Sequence, residues 1–155
     1  MGEEIVAIIP AFNEELAIGS VILETKRYSD HVIVVNDGSS DRTAEIARLA
    51  GAEVISLSEN SGKAKALMMG FQQARVNGFK AFVMLDGDGQ HDPREIEAVV
   101  SPVLKGEADM VIGSRFLNEA DKIPPSGRLV RRYSTASRTL ERSRRSPIPS
   151  PGSGP

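Results

Sequence analysis

Short, continuous apolar runs alternate with helical patterns along the first 117 residues, and this alternation constrains the fold more than any other feature. The strand candidates are residues 5–9, 31–36, 53–57, 80–86 and 109–113, and four of them carry the runs VAII, VIVV, FVML and MVI. A strand with one wet face alternates apolar with polar residues. Runs without that alternation suit parallel strands covered on both faces. The intervening segments have helix starts. Asn13 is placed to cap a helix whose first turn holds Glu14 and Glu15, and Ile18, Val21 and Ile22 follow at helical spacing. Asp41 can cap the next helix, and Asp92-Pro93-Arg94-Glu95 joins a capping Asp, a first-turn proline and an acid three residues on. The expected fold is α/β: a mostly parallel sheet with helices on both faces and right-handed crossovers.

Composition narrows the setting. A chain of 155 residues with 40% apolar content fits one soluble domain with a real core. No apolar run approaches the ~18 residues of a membrane helix, and no basic, apolar leader opens the chain. Zero cysteines exclude disulfides, thiolate metal sites and cysteine nucleophiles, and fit a cytoplasmic address. The net charge of −2 hides two unlike pieces. Residues 122–155 hold eight basic residues against the single acid Glu141, whereas residues 1–121 hold 11 basic and 20 acidic ones. The two parts expected are an acidic domain over 1–117 and a basic Ser/Pro/Arg-rich disordered tail over 118–155.

In open α/β sheets ligands bind at the carboxyl ends of the strands. Every unusual polar cluster here falls at such an end: residues 10–14, 36–41, 86–92 and 113–115. Any one could be turn chemistry plus a helix cap; four on one edge point to a site. Asp86 and Asp88, at strand spacing of two, leave the same side of the chain. Gly87 and Gly89 let the backbone turn tightly and a ligand come close. Two such carboxylates repel unless a cation lies between them, and oxygen ligands of this kind select Mg2+ or Mn2+ with substrate phosphates. Gln90 could add a polar contact. The competing reading is an exposed acidic turn. His91 reads as a solvated loop residue and His31 as the start of a strand.

Asn60-Ser61-Gly62-Lys63-Ala64-Lys65 opens the third helix with two lysines in its first turn, where cations oppose the helix dipole unless an anion is bound. A solvated helix face is the plainer alternative. The segment is not a Walker A loop, and no G-x-G-x-x-G follows the first strand. Arg115, after the last strand, could fork onto a phosphate. Together Asp86, Asp88, Lys63 and Arg115 imply a diphosphate ligand, leaving Asp37 and residues 10–14 for a base or ribose.

PAFNE, VVNDGSSD, NSGKAKAL, LDGDGQHDP and GSRF stand in this order over roughly residues 4–117. The set resembles the family 2 glycosyltransferases of GT-A fold, nearest the polyprenyl-phosphate (dolichyl-phosphate mannose or glucose synthase-like) branch. The resemblance implies a Rossmann-like nucleotide-sugar-binding domain. In it Pro10, Phe12, Glu14 and Asp37 would contact the nucleoside. Gly62 and Lys63 would serve the phosphates. Asp86, Asp88 and Gln90 would surround Mg2+ or Mn2+ and the diphosphate, and Arg115 would meet donor or acceptor phosphate. Asn36 stands where many members have a second Asp, a departure that bears on base preference.

The implied reaction is inverting transfer of a sugar from a UDP- or GDP-linked donor to a polyprenyl phosphate or other acceptor, with Asp86, Asp88 and Arg115 as its catalytic residues. No nucleic-acid partner is expected. A catalytically silent nucleotide-sugar-binding module is the alternative, and a sugar-phosphate nucleotidyltransferase would need a Gly-rich arginine loop where PAFNE stands.

After GSR the family carries a segment resembling D-x-Q-S-G-F-R, which is absent here. The basic tail has three readings. It is a polybasic arm for the cytoplasmic membrane face, worth about 1 kcal/mol per Lys or Arg near anionic lipid, or a solvated terminus, or an out-of-frame translation. The last ten residues, SPIPSPGSGP, can be encoded so that reading one nucleotide earlier yields VTDTQSGFRA. That favours a −1 frame relationship beginning near residues 122–129, and the nucleotide sequence is its test.

Overall fold

The computed structural model describes residues 5–113. The expectations for Arg115 and for the basic tail, including its reading frame, lie outside the described residues. Four parallel strands form one sheet: β1 (Ile5–Ala11), β2 (His31–Asn36), β3 (Glu53–Ser56) and β4 (Ala81–Met84). The helices are α1 (Ile18–Thr25), α2 (Thr43–Leu49), α3 (Lys63–Val76) and α4 (Ile96–Leu104), the last preceded by a 3-10 turn at Pro93–Glu95. None of them is long and apolar enough to cross a membrane.

The strand order is β3-β2-β1-β4, with Ile8 opposite both Ile33 and Met84. The chain walks outward from β1 to β3, then jumps back across β1 to β4. Right-handed crossovers therefore put α1 and α2 on one face and α3 on the other. Side-chain alternation supplies both cores. Ala7, Ile9, Val32 and Val34 face Ile18, Ile22, Ala47 and Ile96. Val6, Ile8, Ile33 and Val35 face Ala66, Ala74 and Phe79. The continuous runs of β1 and β2 are thus the runs of strands covered twice.

Three expectations need correction. β1 continues through Pro10 to Ala11 instead of stopping at residue 9. Pro10 shares parity with Ile8, whose carbonyl accepts from Leu85 on the β4 side. Its missing N–H therefore falls where β4 has already ended. The segment 109–113 forms no strand: it pairs with none of the four, and Met110 and Ile112 are 52% and 58% exposed. A strand exists only through a ladder partner, and β4 is paired on its β1 side alone. The FVML run is also covered on one face only, with Phe82 and Met84 exposed because α3 lies over β1 and β2.

Asn13 does not cap α1. Its φ is 54°, and its side-chain oxygen accepts the Ser40 N–H at 3.0 Å while its own N–H reaches Ser39 Oγ at 2.9 Å. Glu14 and Glu15 lie in the turn before α1, which starts only at Ile18. Their N–H groups bond Thr43 Oγ1 and Asp41 Oδ2. A polar residue next to a helix serves whichever orphan donor is nearer, and here that donor belongs to the neighbouring loop. Asp92 caps the 3-10 turn as expected, accepting the Arg94 N–H, whereas Asp41 stands one residue before the cap position of α2, Arg42, and accepts the Thr43 N–H from there.

Candidate active site at the carboxyl edge of the sheet

The jump from β3 to β4 reverses the strand order at β1, and a crevice opens there beyond the strand ends. A cleft of about 300 Å3 occupies this place. The loop after β1 contributes Phe12 and Glu14, beyond Pro10 and Ala11 at its end. Asp37 comes from the end of β2, Asn60 and Lys63 from the start of α3, and Asp86, Gly87 and Asp88 from the turn after β4. A larger hollow of about 620 Å3, at the opposite edge beside Tyr28 and Leu104, holds none of the expected residues.

Asp37 is only 4% exposed. Its carboxylate accepts the Ser61 N–H at 2.7 Å and the Gly62 N–H at 2.8 Å. Both donors belong to the residues just before α3, so the residue that follows β2 anchors the entry to a helix 25 positions later. Gly62 takes φ 91° to make the turn. Gly38 has φ 71°, and a Cβ there would sit 2.4 Å from the Glu59 backbone carbon, so only glycine lets the two loops approach.

Lys63 leaves the first turn of α3 and bonds Asp86 Oδ1 with its ammonium. Asp88 accepts the Gln90 N–H at 2.9 Å. β4 ends at Met84, so the shared direction of Asp86 and Asp88 comes from the turn and not from strand pleating. Gly89 makes that turn with φ 79°. Glu14 faces the same acids. Burial, then the charges of Asp88, Asp41 and Asp86, push its carboxyl above the ordinary value.

Three expected residues, Asn36, Gly62 and Gln90, stand beside the cleft and not in its lining. Asn36 is 6% exposed, accepts the Ser39 N–H and donates toward Ser56, which fixes the turn after β2. Gln90 contributes its backbone N–H to Asp88. His91 is no solvated bystander: it is half-buried, and its Nδ1 accepts the Asp86 N–H at 2.9 Å. The sequence signal was available in the five-residue spacing from Asp86 across two glycines, a turn length that brings the ring back. Asn60 was also passed over, though it begins the NSGK run.

Among the described residues no three His, Cys, Asp or Glu side chains gather to hold a metal. An all-protein cage is therefore not built here. Mg2+ and Mn2+ characteristically take one or two carboxylates and complete their shell with water and phosphate oxygens, and the Asp86–Asp88 pair fits that demand.

The model of the family described as Glycosyl transferase family 2 matches residues 6–152. The chain belongs to this family. Its relatives include the UDP-N-acetylglucosamine–dolichyl-phosphate N-acetylglucosaminyltransferase of Methanococcus voltae, 32% identical over 129 residues, covering 72% of this chain and 51% of the relative. The polyprenol monophosphomannose synthase of Mycolicibacterium smegmatis is 34% identical over 120 residues, covering 71% and 44%. These family 2 relatives represent the polyprenyl-phosphate sugar synthase branch. The chain spans about half the length of the curated relatives it matches.

Among solved structures similar to this chain is the Mycobacterium tuberculosis glucosyl-3-phosphoglycerate synthase bound to uridine diphosphate. It has TM-score 0.60 and 30% identity, and covers 73% of this chain and 44% of that one. The same enzyme has been solved with Mn2+, UDP-glucose and phosphoglyceric acid, and with Mg2+ and UDP. The expected GT-A architecture is that of these neighbours.

Proposed function

We propose that the cleft binds the diphosphate of a UDP- or GDP-linked sugar, and that this chain is the donor-binding part of an inverting transferase whose acceptor is a polyprenyl or dolichyl phosphate. The observation that carries the reading is the meeting of Lys63, Asp86 and Asp88 with Glu14 and Asp37 in one cleft at the sheet's switch point. The relatives that act on lipid phosphates support the acceptor class. The neighbour solved with Mn2+ and UDP-glucose supports the donor and metal class.

Phe12 and Pro10 offer apolar surface to a base, with Glu14 and Asp37 at its polar edge. Asp86 and Asp88 would hold Mg2+ or Mn2+, which when bound supplies positive charge to the departing diphosphate. Lys63 adds a mobile cation to the same oxygens, and His91 holds the Asp86 backbone in place. Arg115 is assigned to donor or acceptor phosphate. A phosphate acceptor is already anionic, so no general base is required of this chain, whereas a hydroxyl acceptor would need a carboxylate. The place of work is the cytoplasmic face of a membrane, where a lipid phosphate is reached by peripheral contact.

A donor-binding module without turnover is the competing reading. Calorimetric titration of UDP- and GDP-sugars with and without Mn2+ tests both. Metal-dependent binding lost in Asp88→Ala is expected. No binding by the wild type refutes the donor site, and binding without transfer to a polyprenyl phosphate selects the silent module.

A further inference from the structure

Among the described residues that line the cleft, Lys63 is the one cation. It stands in the first turn of α3, where the helix end already carries positive partial charge and an ammonium is unfavourable without an anion. The structure supplies that anion from within the site: the Lys63 ammonium is bonded to Asp86, one of the two carboxylates assigned to the metal. Lys65, in the same turn, bonds the Ser61 hydroxyl at 3.2 Å instead.

One carboxylate oxygen cannot serve an ammonium and a divalent cation at full strength together. We infer that Lys63 is an exchangeable counter-ion, which neutralises Asp86 before metal arrives, is displaced when a divalent cation takes the Asp86–Asp88 pair, and turns its freed ammonium to the donor diphosphate. The inference rests on the donor-site reading above and adds an order to it. The Lys63 side chain is 59% exposed, which leaves open space for its ammonium to swing into. Exposed lysine–carboxylate pairs are weak, so a divalent ion can displace one. The same side chain therefore works against metal alone and for metal with diphosphate. The two ligands become positively coupled through it, and by linkage each raises the affinity of the other.

The test measures Mn2+ and UDP binding separately on the 155-residue chain. Bound Mn2+ is read from the paramagnetic resonance of the free ion, and UDP from calorimetry. In Lys63→Met, Mn2+ without nucleotide should bind about threefold to tenfold more tightly, because a competing cation and its repulsion are gone. UDP in saturating Mn2+ should bind about tenfold more weakly, since a charge-assisted bond is lost. Lys63→Arg keeps the charge and should leave Mn2+ affinity within about twofold, as should Lys65→Met, which removes equal charge from the same turn.

Unchanged or weaker Mn2+ binding in Lys63→Met overturns the exchange, as does equal tightening in Lys65→Met. In either case wild-type binding of UDP with Mn2+ would leave the donor site standing. A wild type that binds no UDP with Mn2+ overturns the donor site and the exchange together.

Discussion

Asp37→Ala separates holding the site from touching the ligand. The carboxylate lies at 4% exposure and accepts two backbone N–H groups, at 2.7 and 2.8 Å, from the residues that open α3. Hydrogen bonds to a charged group are worth about 1.5–3 kcal/mol each when the partner is well shielded. Gly62 is exposed and its N–H also reaches Asn60 Oδ1 at 3.2 Å, so water and Asn60 recover part of the loss. The expected cost is about 2–3 kcal/mol in all, or about 10–20 °C in Tm for a folded body of this size. Asp37→Asn keeps the shape and one acceptor oxygen and should cost about half as much. Urea denaturation followed by far-UV circular dichroism gives both values, with the slope checked for constancy. UDP affinity should fall in the same rank order, because the start of α3 carries Lys63. Both variants within about 0.5 kcal/mol of wild type would refute the anchoring role.

Glu14 has a pKa raised by burial first and then by Asp88, Asp41 and Asp86. The folded state therefore holds its proton more tightly than the unfolded state does, and stability declines as pH rises from the ordinary value through the raised one. Glu14→Gln should flatten that decline in urea midpoints above the ordinary carboxylate range and leave the protein more stable at neutral pH; an unchanged slope would refute it. Gly70→Ala would place a Cβ 2.4 Å from Ile8 Cγ2 and 3.2 Å from Val35 Cγ2, both on buried strands. After the helix-propensity gain of about 1 kcal/mol it should still cost about 1–2 kcal/mol by urea melt, and stabilisation would be the contrary result. His91→Ala removes the acceptor of the Asp86 N–H and should weaken Mn2+-dependent UDP binding about twofold to tenfold in calorimetry. Unchanged affinity would leave His91 without a positioning role.

The layered sheet was legible because β1 and β2 are buried on both faces, and burial on both faces removes the alternation from VAII and VIVV. The same logic failed at residues 109–113. An apolar run states that a segment could be covered, but whether it is a strand depends on a partner elsewhere in the chain. Pro10 misled in the other direction. A proline warns against a central strand, yet its consequence depends on which neighbour its missing N–H faces, and β4 had already ended there. Gathering at the carboxyl edge was readable, since topology alone brings strand ends together. Which of the gathered groups are free for a ligand was not. Asn13 and Asp37 are engaged with neighbouring loops by contacts between residues as far as 27 positions apart, Asn36 reaches Ser56 across 20, and no local pattern encodes such contacts.

That division of labour changes the electrostatic reading of the cleft. Four carboxylates line it, which as a motif count looks like an excess of candidate metal ligands. Asp37 is committed to two backbone N–H groups, so its charge is already spent on the helix start. Among the described residues of the lining, Glu14, Asp86 and Asp88 remain against the ammonium of Lys63, a surplus of two negative charges. Burial first, and then the neighbouring acids, raise the pKa of Glu14 within this group. A diphosphate approaching this surface would meet like charge. Two positive charges at the Asp86–Asp88 pair cancel the surplus and leave the Lys63 ammonium free for the phosphates. If the cleft is the donor site proposed above, the divalent cation is the condition for the donor diphosphate to enter it.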